Sequence, residues 1–287
     1  MSKVWLITGS ASGLGRNIAE AVLAAGDRLV ATARQPRQLD DLVRRYGDRV
    51  RAVALDVTDS AAAKAAVQVA IGVFGRLDVL VNNAGYGQLS AFEQTSEEAF
   101  RAEVETNLFG VVNLSRAALP FMRAQRSGHI LQISSVGGRV GIPGLSAYQS
   151  AKWAVGGFTE VLAQEVASLG IKVCALEPGG MRTNWGVRAR QKAVPVLEEY
   201  QASVGSVNQM LSQYVGHEAG DPDKVAQIVL KLAYHPKPPV HLLIGSDALQ
   251  YAGAAESDRA AAAERWREVS AASDFAATGP LPAFPVQ

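Results

Sequence analysis

Cysteine is almost absent from this chain: 287 residues contain one, Cys174, inside the apolar run Val173 to Leu176. A disulfide framework within the chain is excluded, and a lone thiol among apolar neighbours reads as core. The four histidines, His129, His217, His235 and His241, have no metal-ligand spacing, so no metal is assigned. No run of about 18 apolar residues occurs. Nor does the N-terminus carry a basic segment leading into an apolar run and a small-residue cleavage site. A soluble, unexported, cytoplasmic protein with no membrane partner is expected. Charge of one sign is also lacking in any block: Lys plus Arg number 28 and Asp plus Glu 27. This argues against nucleic acid or an anionic membrane as partner.

What is present is a core-forming composition, 48% hydrophobic, with no break marking a second domain. Lys3 to Thr8 is a short apolar run, followed at once by Gly9-Ser10-Ala11-Ser12-Gly13-Leu14-Gly15 and then by Ile18, Ala21, Val22 and Ala25 at helical spacing. A strand, a glycine-rich turn and a helix in this order surround a diphosphate with backbone N–H groups and the positive end of a helix dipole. The spacing is T-G-x-x-x-G-x-G rather than G-x-G-x-x-G, and a purely structural turn is the alternative. Arg28 to Ala33 reads as the second strand. At its end an acidic residue would bind a ribose 2′-hydroxyl, but this chain has Arg34, with Asp40 and Asp41 the nearest acids. A guanidinium there suits a 2′-phosphate, to which Ser12 or Arg16 adds, so NADP(H) is favoured and NAD(H) remains possible.

Short apolar strands and helical segments continue to alternate. The strands read as Val50 to Leu55, Leu77 to Val81, His129 to Ser134, Ile171 to Leu176 and Val240 to Ile244, with a helix from Ser60 to Phe74. The pattern predicts an α/β protein, a Rossmann-type doubly wound, seven-stranded parallel sheet flanked by helices in a single domain. Asp56 ends the third strand, where its carboxylate can accept from an adenine amino group. Asn82-Asn83-Ala84-Gly85 ends the fourth, where small residues let a ligand approach the backbone. Thr95 with Glu98 forms a capping box for one long helix to about Gln125, in which Asn107 sits among apolar residues. Residues 181–220 interrupt the rhythm. Their apolar positions recur at helical spacing and suggest either a substrate lid lined by Trp185, Tyr200 and Met210 or an ordinary surface helix. Arg182, Arg188, Arg190 and Lys192 offer recognition of an acid or simple solvated charge. Asp221-Pro222 is an N-cap and N1 pair, and Gly253 to Ser273 predicts a terminal helix before a Pro-rich tail.

Tyr148 and Lys152 lie four residues apart on the helix opened by Ser146, so they share a face, with Ser135 thirteen residues before the tyrosine. Bringing a phenol from ~10 to neutrality requires ~3 to 4 kcal/mol. A single positive charge about 4 Å away, in an effective dielectric of about 20, supplies ~4 kcal/mol. Tyr148 is therefore a candidate general acid/base and Ser135 a candidate hydrogen-bond donor to a substrate oxygen.

Taken together, Thr8 to Gly15, Asn82 to Gly85, Asn107, Ser135, Tyr148 with Lys152, and Pro178-Gly179 with Thr183 resemble the short-chain dehydrogenase/reductase family in order and spacing, over roughly residues 3–245. The resemblance implies Tyr148 as proton donor or acceptor, Ser135 as the carbonyl-positioning group, Lys152 as the residue that lowers the tyrosine pKa and binds the nicotinamide ribose, and Asn107 as holder of a relay water. Cofactor contacts are implied at Thr8, Gly9, Ser12, Gly13, Leu14, Gly15, Arg34, Asp56, Val57, Asn83, Ala84, Gly85, Tyr148, Lys152, Pro178, Gly179 and Thr183. Two departures are Glu177 where many relatives have Asn, and Trp153 after Lys152, expected in a subunit contact. The implied function is an NADP(H)-dependent oxidoreductase interconverting an alcohol and a ketone or aldehyde. A catalytically silent NADP(H)-binding sensor is the alternative. The substrate is expected to be a small, apolar carbonyl or alcohol. The assembly implied is a homodimer or homotetramer joined through the helices near 97–125 and 146–169. Residues 1–250 would form the NADP-binding domain including the lid, and 251–287 a helical extension and tail of the same domain.

Overall fold

Strands that are apolar on both faces need cover on both, and the segments between these strands are amphipathic helices that supply it. The computed structural model describes residues 2–191, 194–277 and 279–285. Lys192 and Ala193 of the expected lid and Thr278, Val286 and Gln287 of the expected helical extension and tail lie outside the described residues. In chain order the elements of the first half are β1 (Val4–Ile7), α1 (Gly13–Ala24), β2 (Arg28–Ala33), α2 (Asp40–Tyr46), β3 (Val50–Ala54), α3 (Ser60–Phe74), β4 (Val79–Asn82), α4 (Glu97–Val104), α5 (Gly110–Gln125) and β5 (Gly128–Ile133). They continue as α6 (Ser146–Val166), β6 (Ile171–Pro178), α7 (Trp185–Gln191), α8 (Ser206–Tyr214), α9 (Pro222–Tyr234), β7 (His241–Ile244), α10 (Ser246–Arg265) and α11 (Arg267–Ala271).

The seven strands form one parallel sheet in the order β3-β2-β1-β4-β5-β6-β7. Strand order reverses between β1 and β4, and the crevice at such a switch point is where ligands bind in open parallel sheets. Alternation along β1 divides the core in two. Trp5 and Ile7 pack with α1 and α9, while Val4 and Leu6 pack with α3, α5 and α6 on the other face. Cys174 is buried on β6, where burial first and the Glu177 charge second push its thiol up to about 12. No helix among the described residues is long and apolar enough to cross a membrane.

Three sequence expectations are corrected here. Thr95 does not cap the helix that follows: its hydroxyl donates to Ala91 O, and Ser96 is the cap, accepting from Ala99 N–H at 3.1 Å. The helix expected from there to Gln125 is two helices, α4 and α5, joined by a π-helical turn over Glu105–Phe109 that contains Asn107. A π turn accommodates one extra residue and re-aims the side chains around it, and hydrophobic periodicity does not reveal it. The terminal helix begins at Ser246, directly after β7, and runs unbroken through residues 250 and 251.

Buried polar groups tie the layers together. Asp27, 1% exposed, accepts from Lys3 N–H, Trp5 Nε1–H and the Tyr234 hydroxyl, joining β1 to the end of α9. Asp27→Ala strands a buried indole N–H and a backbone N–H without acceptors. It is expected to cost about 3 kcal/mol, each orphaned buried donor being worth roughly 1 to 3 kcal/mol. Urea unfolding of the two proteins measures this, and a loss below about 1 kcal/mol would show that water reaches these donors.

Candidate active site

The site grows from the ends of β1 and β4. Thr8 Oγ1 accepts from the N–H groups of Asn83 and Ala84, both at 2.9 Å, while Asn83 Nδ2 donates to Thr8 O at 2.9 Å and Gly9 O at 3.3 Å. This clamp shapes the glycine turn. Gly9 (φ 69°) and Gly13 (φ 57°) are left-handed, and a Cβ on Gly15 would lie 2.3 Å from Gly9 O and from Asn83 Nδ2, so only glycine fits there. Leu14 anchors the start of α1 in the core, and Thr183 faces Gly13 from the chain after β6. Along the same edge, Thr58 holds the Asp56 carboxyl below its usual range through its N–H and hydroxyl, with the Arg34 charge adding to this. Val57 is buried against Gly110, and Gly179 N–H donates to Ile244 O.

Two residues expected to assist Arg34 are engaged elsewhere. Arg16 is paired with Glu20 and Asp41, and the Ser12 hydroxyl accepts from Arg188 of α7 at 3.0 Å.

On the other side of β4 stand the candidate catalytic groups. Asn107, fully buried in the π turn, donates through Nδ2 to Tyr86 O at 2.8 Å and to Glu103 O at 2.9 Å. Its Oδ1 meets no donor among the described residues. A Cβ on Gly85 would lie 2.6 Å from that oxygen and 3.7 Å from Lys152 Nζ, so both polar atoms border a point that only glycine leaves open. Lys152 Nζ donates to Ile133 O at 2.8 Å and lies 5.6 Å from the Tyr148 ring centroid. The Ser135 hydroxyl accepts from Gly137 N–H at 3.0 Å and hydrogen-bonds the Tyr148 phenol.

Electrostatics here differ from the simple charge-pair expectation. Burial, followed by the charge of Glu103, pushes Tyr148 up to about 12, and the Ser135 hydrogen bond offsets only part of this. Burial also lowers Lys152 to about 8. The ammonium is bonded to a backbone carbonyl rather than to the phenol oxygen, so desolvation outweighs the attraction assigned to it from sequence. Glu103 itself is 2% exposed, accepts from Gln88 N–H at 3.3 Å, and is raised by burial to about 7.

Behind the Ser135 turn, Glu177 occupies the place of the expected Asn. It is 1% exposed and doubly paired, with Arg139 Nε at 3.0 Å and His241 Nδ1 at 2.8 Å, while His241 Nε2 reaches Glu160 at 2.9 Å. A buried carboxylate with two such partners is satisfied, and here it joins the chain after Ser135 to β6 and β7. Trp153 is 44% exposed and lies under Arg259 of α10 at 5.2 Å.

The 181–220 excursion is closed at its base by a bridge between Met181 and Gly220. Of the three residues expected to line it, only Trp185 reaches the candidate catalytic groups. Its ring packs on Tyr148, with centroids 5.1 Å apart, and fills the space left by Gly87. Tyr200 is bonded outward to Glu93 and Met210 is exposed. The chain following β4 fixes α7 through Leu89 N–H to Ala189 O. A separate cavity of about 600 Å³ inside the excursion is lined by Arg190, Gln201, Asn208 and their neighbours, with none of Asn107, Ser135, Tyr148 or Lys152 among them.

Glu103 and the pairing of Glu177 with His241 were not singled out from sequence as parts of the site, and Arg188 was read only as one of four cations in the excursion offering recognition of an acid or simple solvated charge. Glu103 stands four residues before Asn107 and Arg188 three after Trp185, spacings that put each on a shared helical face. The Glu177–His241 pair joins residues 64 apart and has no local signal.

A doubly wound parallel sheet with a glycine turn at its switch point is the architecture of a dinucleotide-binding protein. The family model described as short chain dehydrogenase matches residues 3–194, and the chain belongs to that family of NAD(P)(H)-binding oxidoreductases. It is 54% identical over 275 residues to oxidoreductase BOA17 of Botryotinia fuckeliana (strain B05.10), covering 95% of this chain and 100% of the relative. A crystal structure of a short-chain dehydrogenase from Streptomyces avermitilis superposes with a TM-score of 0.87 at 41% identity, covering 96% of this chain and 100% of that one. A metagenomic short-chain oxidoreductase in complex with NADP matches at TM-score 0.68 and 27% identity, over 85% and 97% of the two chains. A 3-ketoacyl-(acyl-carrier-protein) reductase from Brucella melitensis complexed with NADH matches at 0.72 and 28%, over 84% and 96%.

The raised Glu103 pKa sets a pH dependence. Below its ordinary 4.5 the carboxyl is protonated folded or unfolded and has no effect, and between 4.5 and about 7 only the unfolded chain ionises, so stability falls as pH rises. Above that window the loss levels off at about 3 kcal/mol. Glu103→Gln lacks this loss. Denaturant midpoints of the two proteins should converge near pH 4 and separate in favour of the variant by pH 8. A gap that stays constant across that range would place the Glu103 carboxyl at an ordinary pKa.

Proposed function

We propose that this oxidoreductase interconverts an alcohol with its ketone or aldehyde using NADP(H), with Tyr148 carrying the proton. The observation that supports this most directly is the convergence of Ser135, Tyr148, Lys152 and the free Asn107 Oδ1 at the carboxyl ends of β4 and β5, beside the glycine turn. The residues present fit a dinucleotide. Gly9, Gly13 and Gly15 form a turn without β-carbons at the N-terminus of α1, Gly85 leaves open a point that any side chain would close, and Lys152 borders that point. When bound, the nicotinamide would supply or accept a hydride. Thr8 to Gly15, Asn83 to Gly85, Asp56, Val57, Pro178, Gly179 and Thr183 would hold the dinucleotide. Arg34, exposed at the end of β2, would meet the 2′-phosphate, which supports NADP(H) over NAD(H).

In the reductive direction the protein's part is to hold a carbonyl oxygen and protonate it. Tyr148, raised to about 12, enters protonated, and Ser135 donates a second hydrogen bond to the same oxygen. As the phenol gives up its proton, the ammonium of Lys152 stabilises the phenolate, and proton return follows Lys152 Nζ and the water held by Asn107 Oδ1. Trp185 against Tyr148 supplies an apolar wall, which supports an apolar group next to the carbonyl. Phe109 and Val161, exposed on the π turn and on α6, support a homo-oligomer joined across these helices.

The test follows nicotinamide absorbance with NADPH and NADH against a panel of ketones and aldehydes. Tyr148→Phe is expected to keep nucleotide binding and lose ~10³-fold or more in turnover, in the range for removal of a positioned acid. A variant with half the parent rate would refute the role of Tyr148. Arg34→Asp should weaken NADPH and improve NADH, read as a reversal of the kcat/KM ratio for the two. An unchanged ratio would mean that Arg34 does not read the phosphate.

A further inference from the structure

We infer that Arg188, on the lid helix α7, is a cofactor ligand: its guanidinium binds a phosphate of the dinucleotide over the N-terminus of α1 and so ties the lid to the occupied site. This rests on the cofactor reading above and adds to it a residue from the other side of the crevice.

Arg188 and Ser12 are 176 residues apart, yet the guanidinium donates to Ser12 Oγ at 3.0 Å. Ser12 stands at the cap position of α1, but its side chain caps none of the helix N–H groups, and the first turn of α1 contains no acidic residue. Among the described residues Arg188 has no carboxylate partner. A permanent cation is thus held at the positive end of a twelve-residue helix with nothing to neutralise either. An anion between them resolves both charges, and a guanidinium fork is suited to phosphate oxygens. Arg16, at the same helix end, is already neutralised by Glu20 and Asp41, and among the lid cations Arg182 is committed to Glu218 O and Arg190 to Asn208.

The position of Arg188 gives the contact a consequence at the reacting end. α7 has seven residues, and its first, Trp185, packs on Tyr148 while its fourth, Arg188, reaches the glycine turn. One short helix therefore touches both the phosphate turn and the catalytic phenol. Capture of a phosphate by Arg188 holds Trp185 in its place against Tyr148 and keeps the apolar wall fixed before substrate arrives.

Calorimetric titration with NADPH and with NADH tests this on the parent, Arg188→Ala and Arg188→Lys. Arg188→Ala is expected to bind ~10-fold or more weakly, the scale of one charge-assisted hydrogen bond, with Arg188→Lys intermediate. Equal weakening toward both nucleotides assigns the contact to the diphosphate, and weakening toward NADPH alone assigns it to the 2′-phosphate. Hydrogen exchange supplies the second readout: NADPH should slow exchange over 185–191 in the parent and not in Arg188→Ala. Thermal melts without nucleotide establish that the variants are folded. Parent-like affinity for both nucleotides, or parent-like protection of 185–191 in Arg188→Ala, overturns the inference and leaves the cofactor reading standing. A parent that binds neither nucleotide defeats the cofactor reading itself.

Discussion

Between the ends of β1 and β4, where the sheet reverses its strand order, one threonine hydroxyl accepts two backbone N–H groups, and one asparagine side chain returns hydrogen bonds to the backbone it faces. At a switch point the connections leaving two adjacent strands go to opposite sides of the sheet. Here the β1–β4 pairing ends at Ile7 with Val81 and the Thr8 N–H bond to Val81 O, so the chains beyond it need another tie. The Thr8–Asn83 clamp supplies it. It sets the glycine turn on one side and the Ala84 to Gly87 segment on the other. Gly15 then packs against Gly9, Gly85 against Asn107 and Lys152, and Gly87 against Trp185 and Tyr148. Each is a place where a β-carbon would occupy the path of the chain or of its neighbour.

Burial dominates the chemistry beside that clamp. Tyr148 and Glu103 are both raised and Lys152 is lowered, so each buried group is displaced toward its neutral form. Tyr148 at about 12 is a neutral phenol near pH 7, whereas Lys152 at about 8 still carries its proton there, so the two groups stand side by side as phenol and ammonium. Paired charge is kept in the layer behind. Glu177 is held there by Arg139 and His241, anchoring the turn that presents Ser135. A carboxylate in place of an amide is tolerated because the Arg139 guanidinium and the His241 imidazole, whose pKa is raised first by its hydrogen bond to Glu177, arrive from other elements to pair with it.

The 181–220 excursion shows how its residues divide between site and scaffold. Trp185 and Arg188 reach the crevice, whereas Tyr200, Arg182 and Arg190 are spent on holding the excursion together. Helical spacing identified amphipathic segments in it. Which side chain turned inward depended on the Met181–Gly220 bridge and the Leu89–Ala189 hydrogen bond, both of which pair residues distant in the chain.

The seven strands, the glycine turn and the Tyr148–Lys152 face were legible in the residues themselves, because apolar runs, glycine spacing and the helical repeat are local properties of the backbone. The placement of Asn107 was legible only in part: its amide among apolar neighbours stood out, but the π turn that carries it between α4 and α5, and leaves its Oδ1 without a donor, has no periodic signature. The cap at Ser96 rather than Thr95 was decided likewise, by which hydroxyl the preceding turn left free. By itself, the sequence determined the sheet and the family, and pointed to Ser135, Tyr148, Lys152 and Asn107 as the candidate groups. Only the tertiary structure decided their protonation, through burial, and the partners of Glu177, Trp185 and Arg188, because desolvation and long-range pairing depend on elements brought together from across the chain.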